Sequence, residues 1–183
     1  MPYSTENMID FQEREEEAKR ASLIPEGKYN WEIETGEVTD VNGVPRLRVV
    51  HHVTASDSGK HVGRLHSEFF SWFASENSES DTPIEQRQRN LRGMMTRKLD
   101  TYLGALADSP SSSQDIGDSL AEAIKELKPS DDIEDVRELL TNIGLVLEGQ
   151  QITGAIKHSK TGWTNLYPEA YNGRVGAHAT VAV

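Results

Sequence analysis

The chain has 183 residues, of which 36% are hydrophobic and 27% charged, and its formal net charge is −11 at pH 7. This length suits one domain, or one domain with a sizeable insertion. The absence of cysteine excludes a disulfide framework and a cysteine-ligated zinc site, and it agrees with a cytoplasmic location. No apolar run approaches the roughly 20 residues that span a bilayer, so we expect no membrane segment.

The first 22 residues form a polar arm with four glutamates between positions 13 and 17, and they lack the apolar stretch of a secretory signal. A solvated helix or a disordered segment would explain this arm, and a partner-binding arm is the alternative. We expect the folded domain over residues 23–168. The Gly- and Ala-rich residues 169–183 are predicted to form a flexible C-terminal tail.

Three β-strands joined by short turns are predicted after the arm. Polar and apolar residues alternate over residues 28–38, which is typical of a half-buried strand. The hairpin signal Asn42-Gly43 leads to a second strand over residues 44–55. A third strand is predicted over residues 61–73. Such a succession of strands is an antiparallel meander.

Helical periodicity follows in the middle of the chain, and strand character returns near its end. The predicted helices cover residues 83–107, 115–127 and 130–142, and the predicted last strands cover residues 145–157 and 163–167. Gly144 is expected to end the third helix. This element order is that of an OB-fold, a five-stranded antiparallel, partly open barrel with a long helix. Here an acidic helical insert, at about residues 108–143, separates strands three and four.

Charge is unevenly distributed along the sequence. Residues 46–66, on predicted strands two and three, sum to +3, whereas residues 100–148 sum to −9. Solvated faces would explain such runs, and a cationic groove for a polyanion is the functional alternative. A groove for single-stranded nucleic acid combines cations for the phosphates with aromatic faces for the bases. The residues predicted to contact phosphates are Arg46, Arg48, Lys60, Arg64, Lys157 and Lys160.

Aromatic residues near these cations are candidate stacking platforms. Tyr29 and Trp31 alternate with charged neighbours, and this pattern places them in the core. The cluster at residues 69–73 must contribute at least two side chains to the core. The predicted base-stacking residues are Trp72, Trp163 and Tyr167, and core packing is the alternative role of each.

Motifs for catalysis and nucleotide binding are absent, including the phosphate-binding loop, G-x-S-x-G and H-E-x-x-H. The adjacent His51 and His52 should point to opposite faces of a strand, and so should His61 and His66. Neither pair can easily share one metal ion. We therefore expect no enzyme activity, no metal site and no cofactor.

The opening Leu23-Ile24-Pro25-Glu26-Gly27-Lys28-Tyr29 resembles the L-P-x-G-x-Y start of phage-encoded single-stranded-DNA-binding proteins of recombination and replication cassettes. Residues 144–167, including Thr161-Gly162-Trp163-Thr164-Asn165, resemble their closing hairpin. The resemblance implies an OB-fold, sequence-tolerant binding and protection of single-stranded DNA, no catalysis and a location in the host cytoplasm. Many such proteins recruit partners through an acidic C-terminal tail. The neutral end of this chain suggests that its acidic insert recruits replication or recombination proteins instead.

A different class of protein is the alternative: an acidic protein-interaction module, or a DNA mimic that occupies a partner's basic groove. The net charge of −11 favours this alternative, and the basic strands disfavour it. The sequence leaves open whether the chain forms a homo-oligomer.

Overall fold

The structure, a computed structural model, describes residues 24–76 and 79–176. Its strands are β1 (Gly27–Val41), β2 (Val44–Ser56), β3 (Leu65–Ser71), β4 (Gln151–His158) and β5 (Thr164–Glu169), and its helices are α1 (Ile84–Leu106), α2 (Gln114–Leu127) and α3 (Ile133–Leu147). The predicted order of three strands, helices and two strands is confirmed. The predicted arm, residues 1–22, and the end of the predicted tail, residues 177–183, lie outside the described residues.

The five strands form one antiparallel sheet in the order β3-β2-β1-β4-β5. The long central strand β1 pairs with β4 only over its first residues, Gly27 to Glu32, and with β2 from Tyr29 to its end. Two register shifts in the β1–β2 ladder increase the local twist. No backbone ladder joins the edge strands β3 and β5 in the described part of the chain, so the sheet is open and the barrel is not closed.

Alternation along the strands sends one face of the sheet into a core that it shares with the helices. Tyr29 and Trp31 are buried, which confirms their predicted place. The helices of the predicted insert also supply core side chains, among them Leu120, Ile124 and Leu140. The acidic residues of these helices lie on their exposed faces. This helical segment is therefore a structural layer that covers the sheet.

Gly144 lies inside α3, so the prediction that it ends the helix is wrong, and Leu145 extends α3 rather than starting a strand. A Cβ added at Gly144 would lie 2.6 Å from the Gly36 carbonyl oxygen, and one added at Gly36 would lie 2.5 Å from Gly144 Cα. The two glycines thus let helix α3 touch the backbone of β1. The chain turns instead at Gly149, whose φ of +79° is left-handed.

The buried carboxylate of Glu68 joins three elements where the sheet is open. Its Oε1 accepts hydrogen bonds from the backbone N–H of Leu166 on β5 at 2.9 Å and from His66 Nε2 at 2.6 Å. Lys98 of α1 donates to Oε2 and forms an ion pair with the carboxylate. Glu68 therefore links the edge strands β3 and β5 through its side chain.

His51 continues this polar network into the core. Its Nε2 accepts from the hydroxyl of Tyr102 at 2.7 Å, and its Nδ1 lies 3.3 Å from the His66 carbonyl, to which it donates as the neutral ring. The two histidines are register partners on β2 and β3. The neighbouring His52 faces outward and is partly exposed, as the sequence predicts.

Replacing Gly144 by alanine should destabilise the fold by about 1–3 kcal/mol, because the new Cβ would overlap the β1 backbone. The matched control is Gly104→Ala in α1, where a Cβ meets no atom within 4 Å. This control should be neutral or stabilise the protein by about 0.5–1 kcal/mol, since alanine favours helix. Urea denaturation measures both, and equal effects of the two substitutions would contradict the close packing of α3 on β1.

Acid should destabilise the fold through the two buried histidines. Burial, reinforced by the charge of His66, lowers the pKa of His51 to about 3, and burial together with Lys98 lowers the pKa of His66 to about 4. In the unfolded chain both rings have the ordinary pKa of about 6.5. Their neutral forms therefore stabilise the fold fully above pH 6.5. Below it, the unfolded state takes up protons that the folded state excludes, and each histidine costs up to about 1.4 kcal/mol per pH unit.

The free energy of unfolding between pH 7.5 and 5 tests this expectation. His51→Gln should lose stability less steeply toward acid than the parent protein, although it is less stable at neutral pH. The exposed control His158→Gln should keep the parent slope. If His51→Gln keeps that slope as well, His51 is not the group that takes up the proton.

Candidate nucleic-acid interface

Two hairpin turns lie at the end of the sheet where β1 begins. Gly27 pairs with Ile156, so the turn between β4 and β5 projects beyond the start of β1. Tyr29 pairs with Ser56, so the turn between β2 and β3 projects at the same end. The two turns place six of the predicted site residues at one end of the molecule. We call this set the cationic end: Lys60, Arg64, Lys157, Lys160, Trp163 and Tyr167.

The β4–β5 hairpin exposes two aromatic rings. Trp163 is 74% exposed and Tyr167 is 50% exposed. The turn is held by the N–H of Ser159, which donates to the Trp163 carbonyl at 2.8 Å, and by Gly162 at a φ of +85°. Lys157 Nζ lies 5.4 Å from the centre of the Tyr167 ring on the outer face of the hairpin. An exposed ring beside a cation is the combination that binds a base and its phosphate.

The β2–β3 turn presents the other cations. The Ser56 hydroxyl donates to the Lys60 carbonyl at 2.6 Å, and the N–H of Gly63 donates to Val53 at 2.7 Å. His61 takes a φ of +70°, and its ring meets Tyr29 edge-on at 6.4 Å. Within residues 24–76 and 79–176, no carboxylate forms an ion pair with any of the four cations of the cationic end.

Arg174 is a further cation at this end that the sequence interpretation missed. The segment around Asn172 packs over the outer face of β1. The Asn172 carbonyl accepts a hydrogen bond from Asn30 Nδ2 at 3.1 Å, and its backbone N–H donates to Thr153 Oγ1 at 2.7 Å. Val175 is buried, and Arg174 is exposed. Residues 169–176 belong to the predicted C-terminal tail. The hydrogen bonds of Asn172 connect this segment to distant strands, for which the local sequence has no signal.

Arg46 and Arg48 lie elsewhere on the outer face of the sheet. Arg48 pairs with Glu37 of β1, nine positions beyond Lys28, which is roughly 30 Å along an extended strand. The Arg46 guanidinium lies 4.1 Å from the centre of the Phe69 ring, and Arg48 donates to Ser67 Oγ. The structure therefore does not bring these two arginines together with the cationic end.

Trp72 is only 2% exposed, which corrects its prediction as a stacking residue. Its indole Nε1 donates to the Ser130 carbonyl at 2.9 Å. The sequence places Trp72 on the same face as Phe70, and that face is the core, because alternation also directs Leu47 and Val49 inward from the paired strand. The exposed aromatic ring of this region is instead Phe69, which is 40% exposed.

Comparisons with protein-family models, curated proteins and solved structures give no match to this chain. Among the described residues, no group of three histidine or acidic side chains is placed to hold a metal ion. None of the helices over these residues is long and apolar enough to cross a bilayer. The two hairpin turns at the start of β1 bring together most of the predicted site residues that are exposed.

The two tryptophans should differ sharply in their effect on stability. Trp72→Ala removes a buried ring and its hydrogen bond, and it should cost about 3–5 kcal/mol. Trp163→Ala removes an exposed ring and should change the free energy of unfolding by less than about 0.5 kcal/mol. Urea denaturation followed by circular dichroism measures both values. A large loss for Trp163→Ala would show that its ring is needed for folding and is not free to stack.

Proposed function

We propose that this protein binds single-stranded DNA, with little regard to sequence, at the cationic end. The observation that carries the proposal is the exposure of Trp163 and Tyr167 beside Lys157 and Lys160. Stacking on an aromatic face suits every base, and lysine contacts phosphates without reading sequence. A duplex hides its base faces, so the same surface should prefer single strands.

An OB-like barrel is the fold that we propose for this activity. A meander of three strands, a long helix and a closing hairpin have the element order of that fold. The side chain of Glu68 reaches from β3 to the backbone of β5, so the edges of the open sheet lie close together. This arrangement supports a partly open barrel without a closed backbone ladder.

The proposed setting is phage DNA replication or recombination, where exposed single strands need protection. It is supported by the Leu23–Tyr29 opening of the sequence, which resembles such proteins. The negative charge of the acidic helices is compatible with this proposal. Helix α3 meets β1 at Gly36, nearer to the end of that strand than to the cationic end at its start.

Binding of a fluorescein-labelled oligo-dT, followed by anisotropy over a range of salt concentrations, tests the proposal. Each phosphate contact on a single strand contributes about −0.7 to the slope of log K against log salt. Replacing Lys157 and Lys160 together by alanine should weaken binding and flatten that slope by about 1.4. Trp163→Ala should cost about 1–3 kcal/mol of binding and leave the slope nearly unchanged, because stacking releases no counterions.

The matched control replaces Lys125 and Lys128 of the acidic helical segment by alanine. It changes the net charge equally, at exposed positions outside the cationic end. Binding by this control should match the parent protein. Equal affinity for a duplex of the same length, or equal losses in the two double variants, would refute a specific site at the cationic end.

A further inference from the structure

A concave surface lies between the tip of the β1–β2 hairpin, the end of β3 and the first turns of α1 and α3. It is a groove of about 730 Å³. We call it the distal groove, because the β1–β2 hairpin is at the opposite end of β1 from the cationic end. Its apolar lining is formed by Val41, Val44, Phe73, Ile84, Leu91 and Ile133.

Three large apolar side chains of this groove remain substantially exposed. Val41 is 39% exposed, Ile84 is 40% exposed and Ile133 is 38% exposed. Scattered exposed apolar residues need no explanation, whereas several that converge on one concavity are typical of an interaction site. They come from a hairpin and two different helices, so the fold itself brings them together.

Acids outnumber bases at the rim of the distal groove. Glu76 and Glu85 belong to its lining, which also contains Arg46. Ile133 is flanked along the chain by two acids on each side, at positions 131, 132, 134 and 135. Of these, Asp131 is paired with Arg92 and Glu134 with Arg137. The remaining negative charge disfavours a nucleic acid and favours a ligand that carries lysine or arginine.

Arg46 lines the same groove, and its guanidinium lies 4.1 Å from the centre of the Phe69 ring. Its Nε is buried, so a docked ligand meets the face of this side chain and not that donor. The apolar walls and the acids around them therefore carry the recognition, and together they match a peptide that is apolar on one side and basic on the other.

We propose that the distal groove docks a short amphipathic segment of a partner protein, apolar on one side and basic on the other. Its apolar side chains would cover Ile84 and Ile133, and its cations would meet the acidic rim. This surface is separate from the cationic end, so the protein can hold a partner and a DNA strand at once. The docking proposal does not require that the DNA proposal be correct.

The probe for this test is a fluorescein-labelled peptide of three Leu-Lys-Lys-Leu repeats, added to the full chain. The groove variant carries Ile84→Ser and Ile133→Ser. The matched control carries Val62→Ser and Leu145→Ser, which are 57% and 64% exposed and lie outside the groove. The parent protein and the control should bind one peptide per chain with equal affinity, and the groove variant should bind at least tenfold more weakly.

Methyl NMR of the parent protein makes the test independent of whether the groove variant folds. Adding the peptide should shift the methyl signals of Ile84 and Ile133 and leave Leu145 unchanged. Equal binding by all three proteins, shifts that spare both isoleucines, or preference for a Leu-Glu-Glu-Leu peptide would overturn the proposal. Oligo-dT titrated into the same sample separates the two functions, because DNA binding should persist in the groove variant. A parent protein that binds the peptide at the groove but not oligo-dT would refute only the DNA proposal.

Discussion

The carboxylate of Glu68 is the constraint on which the arrangement of this fold depends. A buried charge is tolerated only when it is paired and hydrogen-bonded, and Glu68 takes its partners from its own strand, from β5 and from α1. Removing one partner of such a pair commonly costs about 3–5 kcal/mol, because the other is left uncompensated. The position of the β4–β5 hairpin relative to β3 therefore depends on the hydrogen bond between Leu166 and the Glu68 carboxylate. Since that hairpin carries Trp163 and Tyr167, the same hydrogen bond helps to position the candidate site.

The second organising element is the length of β1. A strand of 15 residues is long enough to pair with β4 near its start and to extend beyond it beside β2. The molecule consequently has two ends with different chemistry. Hairpin turns with exposed lysines lie at one end, and an acidic, apolar groove lies at the other. The length of β1 thus places these two surfaces at opposite ends of the sheet.

The sequence predicts the elements well and the contacts between them poorly. Alternation and helical periodicity are local signals, and they predict the type and order of the eight elements in the described residues, although the boundary between α3 and β4 is wrong. The orientation of Trp72 could not be predicted in this way. Alternation shows which residues share its face, but it does not show whether that face lies in the core or binds a ligand. Glycine is common at helix ends, which is why the sequence predicts that α3 ends at Gly144. The close approach of the Gly36 backbone explains why a glycine lies inside this helix. Likewise, His51 and His66 join one network only through the register of β2 and β3, which no local pattern specifies.

Net charge is a poor guide to what a protein can bind when its charges are distributed as unevenly as they are here. At physiological salt the Debye length is about 8 Å, far shorter than the roughly 30 Å of β1 between Lys28 and Glu37. A ligand at the cationic end therefore senses the nearby lysines much more strongly than the acids of α3. At 0.01 M salt the Debye length grows to about 30 Å, and those acids begin to oppose an anionic ligand. Salt then has two opposing effects on a bound DNA strand: it weakens the phosphate contacts and screens the acidic helices. The total charge of −11 is felt as a whole only in the low-salt regime.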